Sequence, residues 1–467
     1  MNILIVGNGF DLSHYLPTKY DHFMVAMKAI EEHTEPQQPI SFNQLFESLY
    51  EDEESFFSYT HAIYATEQVN LSENQIKEFK EKLLSNHWYR YFKNYKADLQ
   101  TWIDLECYIE KALEIVSDFI DRTEALLKVK DRIELTFDNL DSKRSNILKV
   151  HREHEHILFL LGLFIIAEKV KNDTRIQWQK IENQMGGHLI GEKYHCIINT
   201  DFILTTFSYM KLDSKKIIDF LYKELEEFIN IFNDYINNNI NKLLGCRKAK
   251  LTNYFDIDYV YSFNYTQTYN SIYDNKIKVN FLHGSSRSDQ NIVLGISDLK
   301  DDLLIKNKAY GFVKYHQKLL KNTDFRFLKN NEKLKAVRGF WGDIGKGVDS
   351  FPEDFLVKID KRCNIYLWGH SLDKSDASYI QEIFSYNSEF DENIRVVVLY
   401  FNEAAKFSLL ANLLDILGKN LVEKWMKEGW LAFKSNPDIA GINNIKKVNI
   451  NKKFNEKEKV SNWWEPI

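Results

Sequence analysis

The residues of this chain whose types could do chemistry stand in short clusters far apart in the sequence. They are Gly7-Asn8-Gly9 with Asp11, then Asn264, His283-Gly284, Gly369-His370-Ser371 and Asn402. Gly7 and Gly9 follow the apolar run Ile3 to Val6 directly, and a helical pattern starts near Tyr20. Glycines between a strand and a helix let backbone N–H groups approach a phosphate closely, where the helix start also favours an anion. A tight strand-to-helix turn without a ligand is satisfied by the same residues, and the third glycine of the dinucleotide fingerprint is missing. Asn264 is equally suited to cap a following helix, and His283 before Gly284 suits a buried turn.

Metal chemistry is not expected. His151, Glu153, His154 and His156 lie close together, but no carboxylate or further histidine stands at a zincin spacing. Cys107, Cys196, Cys246 and Cys363 are far apart with no C-x-x-C pair, which excludes a zinc ribbon and points to reduced thiols.

The elements that must position these clusters are short apolar strands. Tyr259 to Phe263 ends at Asn264-Tyr265-Thr266, Val279 to Leu282 at His283, and Ile292 to Leu294 at Gly295. Asn364 to Trp368 ends at Gly369, and Ile394 to Phe401 at Asn402. In an open parallel sheet the carboxyl ends of the strands line one crevice, where such folds bind ligands. Gly9, Asn264, His283 and Ser371 are therefore expected to line one pocket.

Between the first strand and residue 256 the spacing is helical. Phe23, Met24, Met27 and Ile30 begin it, Leu83 to Tyr95 continue it, and Ile157 to Ala167 reads as a buried helix. Ile217, Leu221, Leu225, Phe228, Phe232 and Ile236 mark a long one-faced helix, and 303 to 322 returns to the same spacing. The tail beyond 436 is rich in Lys and Asn and reads as loose surface structure.

At 467 residues the chain exceeds a typical single core, so one large or two intimate domains are expected. With 32 Phe and 25 Tyr against 18 Gly and 6 Pro, a compact and helix-rich body is favoured over long loops. A net charge of −6 excludes a general affinity for polyanions, so no nucleic-acid partner is expected. The first residues lack the basic region of a signal peptide, and the longest apolar run is too short to cross a bilayer. A cytoplasmic protein without membrane contact is the expectation.

Taken together, Gly7-Asn8-Gly9-Phe10-Asp11, Ser262-Phe263-Asn264-Tyr265-Thr266, His283-Gly284 and Gly369-His370-Ser371-Leu372 with Asp376 resemble the AbiH family of bacteriophage abortive-infection proteins. More distantly, the same motifs are similar to those of sirtuins and sirtuin-like NAD-consuming domains. Gly7-Asn8-Gly9 with Leu16-Pro17 parallels the sirtuin opening, Phe263 to Thr266 its Gln-Asn-Ile-Asp, and Gly369-His370-Ser371 its Gly-Thr-Ser. Asp11 replaces a serine and Thr266 an aspartate. Lys19-Tyr20 stands where sirtuins carry Phe-Arg, and the four-cysteine zinc module is missing, so a deacetylase is not implied.

The resemblance implies an α/β fold, a sirtuin-like doubly wound parallel sheet with a large helical insertion. Its core would comprise 1–30 and 251–435, with an insertion at 31–250 and a tail at 436–467. NAD would be the substrate, with its pyrophosphate over Gly7, Asn8 and Gly9. Asn264 would orient the ribose and the attacking water, and His283 would take a proton. Gly369, Ser371 and Asn402 would hold ribose or adenine, while Asp11 would accept from a ribose hydroxyl or cap the following helix. His370 would be structural, and Asp376 would cap or orient the helix after it. The implied function is antiphage defence by hydrolysis of NAD to nicotinamide and ADP-ribose, triggered by a phage or host protein, with a homo-oligomer left open. The alternatives are nucleotide hydrolysis or ADP-ribosyl transfer at the same site, and non-catalytic nucleotide sensing.

Overall fold

The computed structural model describes residues 1–34, 38–99, 101–129, 152–166, 196–205, 210–274, 276–324, 326–331, 334, 363–387 and 394–450. Ile3, Leu4, Ile5 and Val6 are all buried, as an unbroken apolar run inside a two-sided sheet requires. They form β1 (Asn2–Val6), which leads into α1 (Asn8–Ser13) and α2 (Tyr20–Glu32). The other strands of its sheet are β2 (Tyr259–Ser262), β3 (Val279–Phe281), β4 (Cys363–Trp368), β5 (Ile394–Tyr400) and β6 (Leu431–Ser435).

The six strands lie in the order β3-β2-β1-β4-β5-β6, all parallel. The chain steps outward from β1 to β3 on one side, then returns to build β4 to β6 on the other. The direction of winding reverses between β1 and β4. This is the strand order of the dinucleotide-binding doubly wound folds, which hold ligands at that reversal, beyond the carboxyl ends of the strands.

Side-chain alternation gives the sheet two apolar faces. On one face Ile3, Ile5, Tyr261, Phe263, Ile365 and Leu367 join a core with three helices, α3 (Ala377–Phe384), α4 (Glu403–Leu417) and α5 (Lys419–Lys427). Ile380 and Phe384 of α3, Leu413 of α4 and Trp425 of α5 are its buried partners. Each such side chain contributes about 1.5–3 kcal/mol on burial. On the other face Phe10 of α1 meets Trp368 edge-on at 4.9 Å, and Phe23 of α2 packs on Phe232 and Tyr235.

The described chain forms two compact units. The first, residues 1–79, 232–293 and 318–467, holds the whole parallel sheet; the second comprises 80–231 and 294–317. The division falls elsewhere than the expected insertion of 31–250. Residues 232–250 are tied to the sheet unit through Tyr235, whose hydroxyl donates to the Pro17 carbonyl at 2.5 Å, and 31–79 through Thr60 and Tyr64, whose hydroxyls donate to the Tyr15 and His14 carbonyls. In the second unit the helices Trp102–Val129 and Ser214–Tyr235 dominate, the last residues of the latter belonging to the first unit.

Several elements differ from their expected form. The helix expected over Ile157 to Ala167 stops at Leu160, Gly162 takes φ +76°, and Phe164–Ile166 pairs as a strand with Cys196–Ile198. Left-handed backbone at Gly162 cannot continue a right-handed helix, and Ala167 lies outside the described residues. Two further short antiparallel pairs precede residue 256, Ile40–Ser41 with Asn70–Leu71 and Ile203–Thr205 with Met210–Leu212. Ile292 to Leu294 forms no strand, since its amides are spent on Gln290 Oε1, the His283 carbonyl and Gln317 Oε1. Leu431–Ser435, not expected as a strand, closes the sheet edge. The tail is partly ordered, with a helix at Ile439–Ile442, while 451–467 lie outside the described residues.

Candidate functional site

The loop after β1 and the loop after β4 are packed backbone against backbone. The Gly7 amide donates to the Trp368 carbonyl at 3.0 Å and the Gly9 amide to the Gly369 carbonyl at 2.9 Å. A Cβ on Gly7 would stand 2.6 Å from the Gly369 carbonyl oxygen, and one on Gly369 only 2.2 Å from the Phe10 nitrogen. Gly369 also takes φ +73°, which side chains rarely adopt. These glycines let two loops touch at the winding reversal. Their amides, expected over a pyrophosphate, are engaged within the chain.

Beside this junction, on the face of α3, three titratable groups converge. His283 Nε2 lies 3.0 Å from Asp376 Oδ1, an ion-pair contact rather than an aligned hydrogen bond. His370 Nε2 lies 3.5 Å from the other carboxylate oxygen, Oδ2. The Leu372 amide donates to His370 Nδ1 at 2.9 Å, so the neutral ring carries its proton on Nε2, toward Asp376. Phe263 stands edge-on to His283 at 5.0 Å, to His370 at 4.2 Å and to Tyr379 at 5.3 Å, walling the cluster with apolar surface. Lys318 Nζ donates to the Tyr379 hydroxyl at 3.1 Å and lies over that ring at 4.5 Å. His283, His370 and Asp376 are each less than a tenth exposed.

A second cluster lies at the same edge, on the face of α1. Thr266 Oγ1 donates to Asp11 Oδ2 at 2.6 Å, and Thr266 and Thr268 share a 2.9 Å hydrogen bond. Asn264 donates its side-chain amide to the Gly7 carbonyl at 2.9 Å. Asp11 is 1% exposed, and its Oδ1 has no hydrogen-bond partner. Burial pushes its carboxyl up from 3.8 to about 6, against the opposing pull of Thr266, Thr268 and Asn264. His14, on the same helix, is pushed down to about 4 by burial and stays neutral. Val6, Asp11, Ser262, Asn264, Thr266 and Thr268 are among the lining of a cavity with room for about one water.

Asn264 and His283 therefore belong to different clusters: Asn264 with Asp11, His283 with Asp376. The lining of the cavity beside Asp11 does not include Gly9, His283 or Ser371. The two clusters part at the end of β2. Ser262 and Asn264 point to the α1 face, whereas Phe263, between them, joins the α3 core and faces His283. Ser371 is exposed, and its carbonyl accepts from Asn412 Nδ2. Asn402 is also exposed and caps α4, its Oδ1 accepting from the Ala405 amide at 2.8 Å. Asp376 occupies the cap position of α3 without making the cap bond, its carboxylate turned to the histidines instead.

A family model described as "Bacteriophage abortive infection AbiH" matches residues 3–400. This chain belongs to the AbiH family. No curated protein and no solved structure matches it.

Membership gives this AbiH protein a role in bacteriophage abortive infection. The match spans β1 to β5 and so contains both clusters. Among the described residues no helix is long and apolar enough to cross a membrane, and no group of three His, Cys, Asp or Glu side chains is placed to hold a metal. Sequence spacing missed the pairing of Asp376 with two histidines, and it missed Thr268 and Lys318 altogether. The one available signal was Asp376 itself, which follows the Gly369-His370-Ser371-Leu372 motif.

Proposed function

We propose that this AbiH protein is an abortive-infection hydrolase that acts on a nucleotide, with NAD as the substrate. The observation that carries the reading is the buried His283–Asp376 pair at the carboxyl edge of a sheet with the dinucleotide-binding strand order. The bond to be cut joins nicotinamide to ribose. The nicotinamide is cationic in the substrate and leaves neutral, so the step needs a positioned water, a proton acceptor and a dry surround. With Nε2 turned to Asp376, His283 would accept the proton at Nδ1, and the carboxylate would hold the ring and stabilise the imidazolium. Asn264 would act by bracing the β1 loop through the Gly7 carbonyl.

The test is nicotinamide release from NAD by the full chain, alone and with phage-infected lysate, with ATP and GTP as alternative substrates. Release is expected, and His283→Gln should lower it by roughly 10²–10⁴ while leaving the melting curve nearly unchanged. Asp376→Asn should lower it in the same direction. Release no faster than a blank under every condition would refute the hydrolysis of NAD.

A second reading is a nucleotide sensor without turnover. What favours it is that the amides of Gly7, Gly9 and Asn264 are engaged by the chain's own carbonyls. Calorimetric NAD binding without nicotinamide release would decide for it.

A further inference from the structure

The Asp11 cavity poses a question that the histidine cluster does not answer. A carboxylate taken out of water is costly unless something neutralises it. Asp11 is 1% exposed, and among the described residues no lysine or arginine contacts it; Thr266, Thr268 and Asn264 pull on the carboxylate, but Oδ1 makes no well-aligned hydrogen bond.

The hydroxyls around it have already spent their protons. Thr266 gives its only proton to Asp11 Oδ2, so in the Thr266–Thr268 bond Thr268 must be the donor. Ser262 Oγ accepts from the Asn264 amide and therefore donates to the Asn264 carbonyl. Asn264 commits one side-chain N–H to the Gly7 carbonyl. Its other N–H acts on the Asp11 carboxylate, so what the hydroxyls and the Asn264 amide oxygen still offer the cavity is oxygen lone pairs.

We infer that the cavity whose polar wall is Asp11, Ser262, Asn264, Thr266 and Thr268, closed by Val6, Phe10, Val279 and Phe281, is a binding site for a monovalent cation, sodium or potassium. The ligand chemistry is hard oxygen, which suits alkali and alkaline-earth ions rather than softer metals. The charge count selects within that class. One carboxylate matches one positive charge, whereas divalent ions are usually held by several carboxylates or by substrate phosphates. Space for about one water also excludes a larger organic cation. Once bound, the ion would tie the α1 loop to the loop after β2, the two segments that supply Asp11 and Thr266.

The cation competes with a proton for Asp11, so its effect should be strong above the carboxyl's titration and absent well below it. The neighbouring titratable groups do not confuse this. His14, pushed down to about 4 by burial, stays largely neutral down to about pH 5, and Tyr64, which feels the Asp11 charge, has its hydroxyl pushed further up by burial. Arg247 acts on both His14 and Tyr64.

The test needs no nucleotide, so it is independent of the hydrolase reading. The melting midpoint of the full chain is measured at about pH 8 in sodium, potassium or choline chloride, each at about 0.15 M. Sodium or potassium should raise the midpoint by roughly 2 °C over choline, as a ligand at a few times its Kd does. The rise should largely disappear at about pH 5, where Asp11 is mostly protonated and His14 still mostly neutral, and in Asp11→Asn, and the better of the two ions identifies the occupant. Thr268→Val keeps the carboxylate but removes an oxygen ligand, and it should reduce the rise. Equal midpoints in all three salts, or an equal rise in Asp11→Asn, would overturn the site and leave a water beside Asp11.

Discussion

Replacing Asp11 by Asn should make the protein more stable at neutral and alkaline pH. Asparagine keeps the shape and can still accept from Thr266, but it never carries the charge that the site leaves unpaired. Burial raises the folded-state carboxyl from 3.8 to about 6, so the folded chain holds this proton more tightly than the unfolded chain. The corresponding stability is fully present below about pH 3.8, declines as pH rises through that interval, and is gone above about pH 6. The difference between about 6 and 3.8, at about 1.36 kcal/mol per pH unit, makes about 3 kcal/mol. Denaturant unfolding of wild type and Asp11→Asn, in choline chloride at about pH 4 and about pH 8, measures it as the change in their stability difference. Other titrating groups cancel in that comparison. Because the unfolded carboxyl is already more than half ionised at about pH 4, the variant should gain about 2.4 kcal/mol of that total on wild type between the two pH values. A difference constant within about 0.5 kcal/mol would refute the assignment of a buried, unpaired carboxylate.

Two other perturbations probe the frame around the clusters. Gly369→Ala combines a positive φ with a Cβ 2.2 Å from the Phe10 nitrogen, and should cost more than about 1 kcal/mol in denaturant unfolding. An unchanged midpoint would mean that the two loops are not in contact. Glu53, paired with His22 at 3.2 Å and Lys19 at 2.8 Å, is held down at about 2 by those partners, which outweigh the opposing effect of burial. Its stabilisation is present above the ordinary 4.5 and is lost as pH falls toward about 2. Glu53→Gln should therefore lower stability near neutral pH and flatten the acid limb of the unfolding curve, and an unchanged acid limb would count against the pairing.

Much of the sheet was legible because its strands are short, apolar and buried on both sides. Ile3–Val6, Tyr259–Ser262 and Ile394–Tyr400 are apolar runs too short for a buried helix and suited to a strand covered on both faces. Leu431–Ser435 was not, because an edge strand ending in exposed Lys434 and Ser435 carries no such run. The break at Gly162 was hidden by the apolar residues on either side of it, which suit a buried helix and a buried strand equally well.

The candidate site divides along the same line. From the sequence alone came the list of residues at the carboxyl edge, since a strand's end is a local property and Asn264, His283 and Gly369 each follow one. Which of them meet was decided only by the tertiary structure. Just past the end of β2, Phe263 turns to one face and Asn264 to the other, and that divergence assigns His283 to Asp376 rather than to Asn264. Asn264 reaches Gly7 across 257 positions of sequence, and Thr266 reaches Asp11 across 255. No local pattern records such a pairing. It depends on which strands lie beside β1, and that order is chosen by the packing of the whole sheet.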